Sequence, residues 1–232
     1  MANFLGWCEK RVWLPILAVL ILTGGGFLHG KSPYNFTRYT IEDGLSQGTI
    51  VSIYQDSRGF MWFGTQDGLN RFDGYQFKIY KNNPTDSTSI SHNWVWSMAE
   101  DSAGYIWLGT FAGGLNRYDP RTDRFTKVPL KYAQGQDVNS IRSIYHLSPQ
   151  RMILGTSNGV LDVDRRSGKS HHFTLDPQNT NILDLHRSAP DTLLLLGGTR
   201  IYAYHLHNGS VDTLFDAREF SLTPVREIWL KW

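Results

Sequence analysis

From about residue 49 onward the chain alternates between short apolar runs and glycine-containing turns, and no stretch there keeps the three-to-four spacing of an amphipathic helix. Ile50 to Gln55, Met61-Trp62-Phe63-Gly64 and Leu69-Asn-Arg-Phe72 are predicted strands. Asp56-Ser-Arg-Gly59 and Gln66-Asp67-Gly68 are the turns between them, and Phe77 to Lys81 is a fourth, outer strand. Ile106-Trp107-Leu108 is apolar without alternation, as in a strand buried on both faces. Asp67-Gly68 and Asn158-Gly159 favour tight hairpins of type I′ geometry.

The same pattern recurs. The Gly-Thr pair returns at Gly64-Thr65, Gly109-Thr110 and Gly155-Thr156, a period of about 45 residues, and a weaker fourth copy runs from Ile182 through Gly198-Thr199 to Phe215. Trp94 to Ala99 and Ile141 to Leu147 occupy the place of Ile50 to Gln55. Ser52, Ser97 and Ser143 coincide, small residues that let a strand pack closely near a crowded axis. Ala112-Gly113-Gly114 carries one extra residue, which predicts a bulge. Four strands per repeat at this period predict an all-β chain, a β-propeller of four-stranded antiparallel blades. The blades are expected at 49–92, 93–140, 141–181 and 182–224, with a fifth beginning at 225–232. Phe36 to Ile41 is expected to be an extra leading strand within a 31–48 linker. Val225 to Leu230 reads as the first strand of the fifth copy, so the ring is expected to be incomplete; a closed four-bladed ring is the alternative.

Composition supports this class. Aromatic residues make up 13% of 232 residues, with 8 Trp and 22 Gly, which favours short strands and tight turns. A net charge of +2 gives no basis for nucleic-acid binding. At the N-terminus, Lys10-Arg11 precedes the apolar run Val12 to Thr23, and Gly24-Gly-Gly26 follows. That is the pattern of an export signal, expected to cover residues 1–30, and the run is short for a membrane span. Cys8, the only cysteine, lies inside it, so the mature chain has neither disulfide nor thiol nucleophile.

The segment Tyr39-Thr-Ile-Glu-Asp-Gly-Leu-Ser-Gln47, followed by Ile53-Tyr-Gln-Asp-Ser-Arg-Gly-Phe-Met-Trp-Phe-Gly-Thr65 and Asp67-Gly-Leu-Asn-Arg-Phe-Asp-Gly74, resembles the opening of the two-component regulator propeller repeats. The resemblance is strong over about residues 36–165. It implies the N-terminal part of a periplasmic sensor belonging to a hybrid two-component histidine kinase of Bacteroidetes type, with seven-bladed propellers and an oligosaccharide ligand. The kinase core, receiver and membrane helix that the resemblance implies for the parent have no counterpart in this sequence. The resemblance also admits a homodimer of the full-length parent. It leaves membrane contact to the export segment or to the parent's C-terminal part.

Candidate chemistry is sparse. Asp56 and Asp101 recur in turns, and Asn70-Arg71 and Asn116-Arg117 recur on strands; recurrence at matched positions points to blade architecture. His171-His172 and His205-x-His207 invite a metal reading, but no third ligand stands at suitable spacing. No residue is singled out as catalytic and no cofactor is implied. A ligand site fits best on loops at one mouth of the ring, where Gln66, Asp67, Trp94, Phe111, Ser157 and Asn158 offer aromatic faces and amides suited to sugar rings. The competing readings are a propeller lyase or hydrolase, which needs a paired carboxylate in a central funnel, and a propeller scaffold for protein partners.

Overall fold

The computed structural model describes residues 36–130, 139–176 and 180–220. The expected export signal and the expected fifth-copy strand lie outside the described residues. Among the described residues, sixteen strands follow in chain order. The first blade holds β1 (Ile50–Gln55), β2 (Met61–Thr65), β3 (Leu69–Phe72) and β4 (Phe77–Tyr80). The second holds β5 (Val95–Glu100), β6 (Ile106–Thr110), β7 (Gly114–Asp119) and β8 (Arg124–Val128). The third holds β9 (Ile141–His146), β10 (Arg151–Thr156), β11 (Gly159–Asp164) and β12 (Ser170–Phe173). The fourth holds β13 (Asp184–Ala189), β14 (Thr192–Gly197), β15 (Arg200–His205) and β16 (Val211–Asp216). Each set is a four-stranded antiparallel meander, the β-propeller blade the sequence predicts.

The first strands of successive blades lie beside one another, β1 against β5, β5 against β9 and β9 against β13. The core is accordingly three clusters in series, each shared by two blades. Trp62, Leu69, Tyr80, Ile106 and Tyr118 join blades 1 and 2. Trp107, Leu115, Met152, Leu154 and Val163 join blades 2 and 3. Ile153, Leu185, Leu193, Leu195 and Tyr202 join blades 3 and 4. A blade's apolar side chains are therefore buried mainly by its neighbours, and little of it could stand alone.

The recurring serine and glycine set the distance between blades. A methyl group on Gly64 would lie 2.2 Å from Ser52 Oγ and 2.5 Å from the Val95 carbonyl oxygen; on Gly109 it would lie 2.2 Å from Ser97 Oγ and 2.5 Å from Ile141 O. Ser52 Oγ and Ser97 Oγ donate to those same carbonyls at 3.3 and 3.4 Å. Close backbone approach is thus why both residues are small, as the sequence suggested.

Four expectations need correction. Residues 36–40 form no strand, and Ile41–Asp43 make one 3-10 turn. Thr40 Oγ1 accepts from Glu42 N while the Asp43 carboxylate accepts from Thr40 N, a reciprocal cap that bends the chain where a strand would continue. The extra residue at Ala112 makes no bulge in the ladder: Thr110 pairs with Gly114, and residues 111–113 form a longer hairpin loop with Ala112 at φ 60°. Bulges lie instead on the first strands, where Val51, Trp96 and Arg142 are each the extra residue between paired neighbours. The hairpins at Asp67-Gly68 and Asn158-Gly159 are not type I′, because only the glycines take positive φ, 128° and 101°. Thr65 Oγ1 donates to Gly68 O at 2.8 Å and accepts from Asp67 N at 3.0 Å, and Thr156 does the same with Gly159 and Asn158, which holds the preceding residues in a right-handed turn. Gly198-Thr199 is itself the hairpin between β14 and β15, so the fourth copy's Gly-Thr is not equivalent to the strand-ending pairs of the other three.

Candidate ligand site at one mouth of the blades

The hairpins joining second to third strands share one end of the molecule with the segments that lead into the first strands. Gly68 N donates to Asn93 O, Phe111 N to Trp94 O, Gly114 N to Asn139 O and Ser157 N to Ser140 O. Gly68 and Gly114 reach the lead-in of the next blade's first strand, and Phe111 and Ser157 reach that of their own blade. Buried asparagines fix the lead-ins from within their own blades. Asn70 accepts from Ser46 N at 2.8 Å and donates to Ser46 Oγ at 2.8 Å; Asn116 treats Ser91 the same way at 3.0 and 2.7 Å. Their recurrence is architectural, as the sequence indicated.

At this end Trp94 and Phe111 meet, with ring centroids 4.8 Å apart. Trp96, the bulged residue of β5, stands 5.3 Å from Trp94 and 5.1 Å from Phe111. His92 adds a fourth ring, 5.9 Å from Phe111. Across the gap between first strands, the bulged residue of β9, Arg142, lays its guanidinium 3.9 Å over the Trp96 ring. Burial pushes the Arg142 guanidinium below its ordinary pKa. Arg142 Nε and Trp94 Nε1 are buried donors with no hydrogen-bond partner among the described residues. Phe111 is 38% exposed and caps the cluster. The result is an aromatic cluster with one cation at this end of the blades, with Phe111 its exposed member.

The other expected residues sit at the same end with structural partners. Gln66 is exposed, and its N–H donates to Gln47 Oε1 at 3.0 Å. Asp67 pairs with Lys81 at 2.7 Å. Thr180 Oγ1 donates to Ser157 O at 3.1 Å, and the Asn158 carbonyl oxygen meets His172 Nε2. The structure thus brings Trp94 and Phe111 into one cluster and leaves Gln66, Asp67, Ser157 and Asn158 in neighbouring hairpins. Trp96 and Arg142 were not found from the sequence. Their signal was the extra residue on each first strand, which shows only once the register is known.

The repeated aspartates grip tryptophans. Asp56 accepts from Arg58 N, Phe60 N and Trp62 Nε1, the last at 2.9 Å. Asp101 accepts from Ala103 N, Tyr105 N and Trp107 Nε1 at 2.9 Å, and pairs with Arg165 at 2.7 Å. Burial alone would raise both carboxyls, but the bonds from the indoles, the backbone and the arginines outweigh it and hold them below the usual carboxylate range. Each is committed to its turn. His205 and His207, whose rings are 6.3 Å apart, face the carboxylates of Asp212 and Asp191.

Residues 44–67 and 89–112 match the family described as two component regulator propeller. The chain is 57% identical over 61 residues to histidine kinase P4 of Formosa agariphila, a match that covers 26% of this chain and 4% of that protein. Among solved structures, the extracellular domain of a protein assigned as a hybrid two component system of B. thetaiotaomicron aligns with TM-score 0.68 and 28% identity, covering 79% of this chain and 27% of that one. A second such extracellular domain from B. thetaiotaomicron shares the fold, with TM-score 0.67 and 21% identity over 78% of this chain and 27% of that one. The chain therefore spans about a quarter of the ectodomains it resembles. No helix among the described residues is long and apolar enough to cross a membrane. The two matched segments take in the lead-in, turn and Gly-Thr elements of the first two blades, so this part of the chain carries two-component regulator propeller repeats.

Proposed function

We propose that this chain is part of an exported, periplasmic ligand-sensing propeller of a two-component sensor kinase, and that it takes oligosaccharides at the mouth formed by Trp94, Trp96, Phe111 and Arg142. The observation that carries the reading is this cluster. Three aromatic rings and one cation meet at the end where the hairpins gather, and two of their buried polar donors have no hydrogen-bond partner among the described residues. Aromatic faces match the C–H surface of a pyranose. The recurrent carboxylates, Asp56 and Asp101, are held in turns against Trp62 and Trp107, so they give no support to a paired-carboxylate enzyme.

The test is calorimetric titration of the full chain with a panel of neutral and acidic oligosaccharides. Saturable binding of at least one, weakened about tenfold or more by Phe111→Ala, is the expected result. Failure of the whole panel to bind, or an affinity unmoved by Phe111→Ala, overturns the assignment of the mouth.

A further inference from the structure

The outer ends of two successive blade interfaces use matching positions but different residues. Between blades 1 and 2, Tyr80 and Tyr118 each donate a hydroxyl to Asp123 Oδ1 at 2.7 Å. Lys78 Nζ lies 2.5 Å from Asp123 Oδ2. Arg71 donates to the Tyr118 hydroxyl at 3.2 Å and stands 4.0 Å from the carboxylate. The two phenol rings pack on Trp62, with centroids 5.9 and 5.1 Å away. Burial would raise the Asp123 carboxyl, but Lys78 and the two tyrosines bring it down to about 2, so it is a fixed negative charge plugging the interface.

One blade further on, that plug is missing. Val128 stands opposite Leu115, as Tyr80 stands opposite Leu69. Val163 and Gly168 follow Gly159 at the same intervals as Tyr118 and Asp123 follow Gly114. Gly168 has φ 68°, close to the 56° of Asp123. The matching cation remains. Arg117 stacks 4.5 Å over the Tyr105 ring as Arg71 stacks 4.8 Å over Phe60. Its Nε is buried without a hydrogen-bond partner among the described residues. In place of two phenols and a carboxylate there is a cavity of about 600 Å³, its wall including Trp107, Met152, Val128 and Val163. Arg117, Lys127, Arg165 and Arg166 border it, and no carboxylate residue among the described residues lines it. Arg165 is paired with Asp101 and stacked 4.4 Å over Trp107, which leaves Arg117, Lys127 and Arg166 without ion-pair partners among the described residues.

We infer that the cleft between blades 2 and 3 is a second binding site, whose ligand is a carboxylate carried on a six-membered ring. The carboxylate takes the place that Asp123 fills one interface earlier, against Arg117, and the ring takes the place of the phenols, against Trp107. The inference is independent of the mouth. A uronic-acid sugar and a phenolic acid share this chemistry, and the two arms of the test separate them.

The full chain is titrated calorimetrically with methyl β-D-glucuronide and with 4-hydroxyphenylacetate. Each acid is paired with its uncharged match, methyl β-D-glucoside and 4-methylphenol. Saturable binding of at least one acid, about tenfold or more tighter than its match, is expected. The better acid names the source. Gly168→Asp rebuilds the internal carboxylate in a backbone position aspartate already occupies in the neighbouring blade, and an added Cβ there meets nothing within 4 Å. It should weaken the acid about tenfold or more without lowering the melting temperature, and Arg117→Gln should weaken it similarly. Absence of saturable binding by both acids overturns the inference. So do equal affinities for acid and match, or a Gly168→Asp chain that binds as tightly as the parent.

Discussion

At the residue scale the organising bond is the one from an indole to an aspartate six positions earlier. Asp101 collects two backbone N–H groups, the Trp107 indole and Arg165, all at a nearly buried carboxylate. Replacing it by alanine leaves several buried donors unmet at once. Asp101→Ala is therefore expected to cost about 3–5 kcal/mol, read as a lower urea midpoint with an unchanged slope. Close by, His146 lies 6.0 Å from Trp107, and both its ring nitrogens are buried without partners. Burial, with some repulsion from Arg165, pushes its pKa down to about 4 against the opposing pull of Asp101. The unfolded chain binds that proton near pH 6.5 and the folded chain only near 4, so folding favours the neutral ring. Stability from this group is full above about pH 6.5, falls as pH drops through that window and levels off below about 4, a loss of about 3 kcal/mol at most. Urea midpoints of the parent and His146→Leu across that range check it. The difference between the two chains should change with pH in that direction, and a constant difference refutes the assignment.

The element scale is where the sequence was most legible, and where its limits have a clear cause. Glycine, threonine and aspartate recur at fixed intervals because each answers a backbone demand that every blade repeats. The four-stranded antiparallel order of each blade could therefore be read from spacing alone. Turn class could not, because Thr65 and Thr156 choose it through their own hydroxyls and override the Asp-Gly and Asn-Gly preference. Nor could the bulges at Val51, Trp96 and Arg142, since an extra residue is defined only against its partner strand. Half of the mouth was visible for the same reason: Trp94 and Phe111 flank recognisable turns, while Trp96 and Arg142 are placed by bulges. The cleft between blades 2 and 3 escaped notice because it lies in a difference between copies, and repeat analysis rewards identity. Where identity does hold, it can be tested. Gly109→Ala would set a methyl 2.5 Å from the Ile141 backbone oxygen as well as 2.2 Å from Ser97 Oγ. A loss of about 2–3 kcal/mol is expected, and removing the serine hydroxyl with Ser97→Ala should restore little of it, because the carbonyl belongs to the next blade's backbone. Full rescue in the double variant, measured by chemical denaturation, would show that the side chain alone sets the spacing.

At the scale of the whole molecule, the blades form a series in which each apolar cluster belongs to two neighbours. Stability in such a series is close to a sum of blade and interface contributions, so the weakest interface decides where it parts. The interface between blades 1 and 2 is packed by Trp62, Tyr80, Tyr118 and Phe125 and closed by Asp123. The interface between blades 2 and 3 has valines at two of the matching places, an opening of about 600 Å³ and a buried guanidinium nitrogen without a partner among the described residues. Lost dispersion contacts and an unmet donor both weaken it. Unfolding should therefore divide there, with blades 1 and 2 outlasting the separation from blade 3. Native-state hydrogen exchange followed by strand should show β10, in blade 3, opening at lower denaturant than β2 and β6. Asp123→Asn should lower the protection of β2 and β3 while leaving β10 and β11 nearly unchanged, because its contacts end at the first interface. Gly168→Asp should do the converse, raising the protection of β10 and β11 by supplying Arg117 with a carboxylate. If all four blades exchange through a single opening of one free energy, the interfaces are equally strong, and the local defect between blades 2 and 3 does not govern how the molecule comes apart.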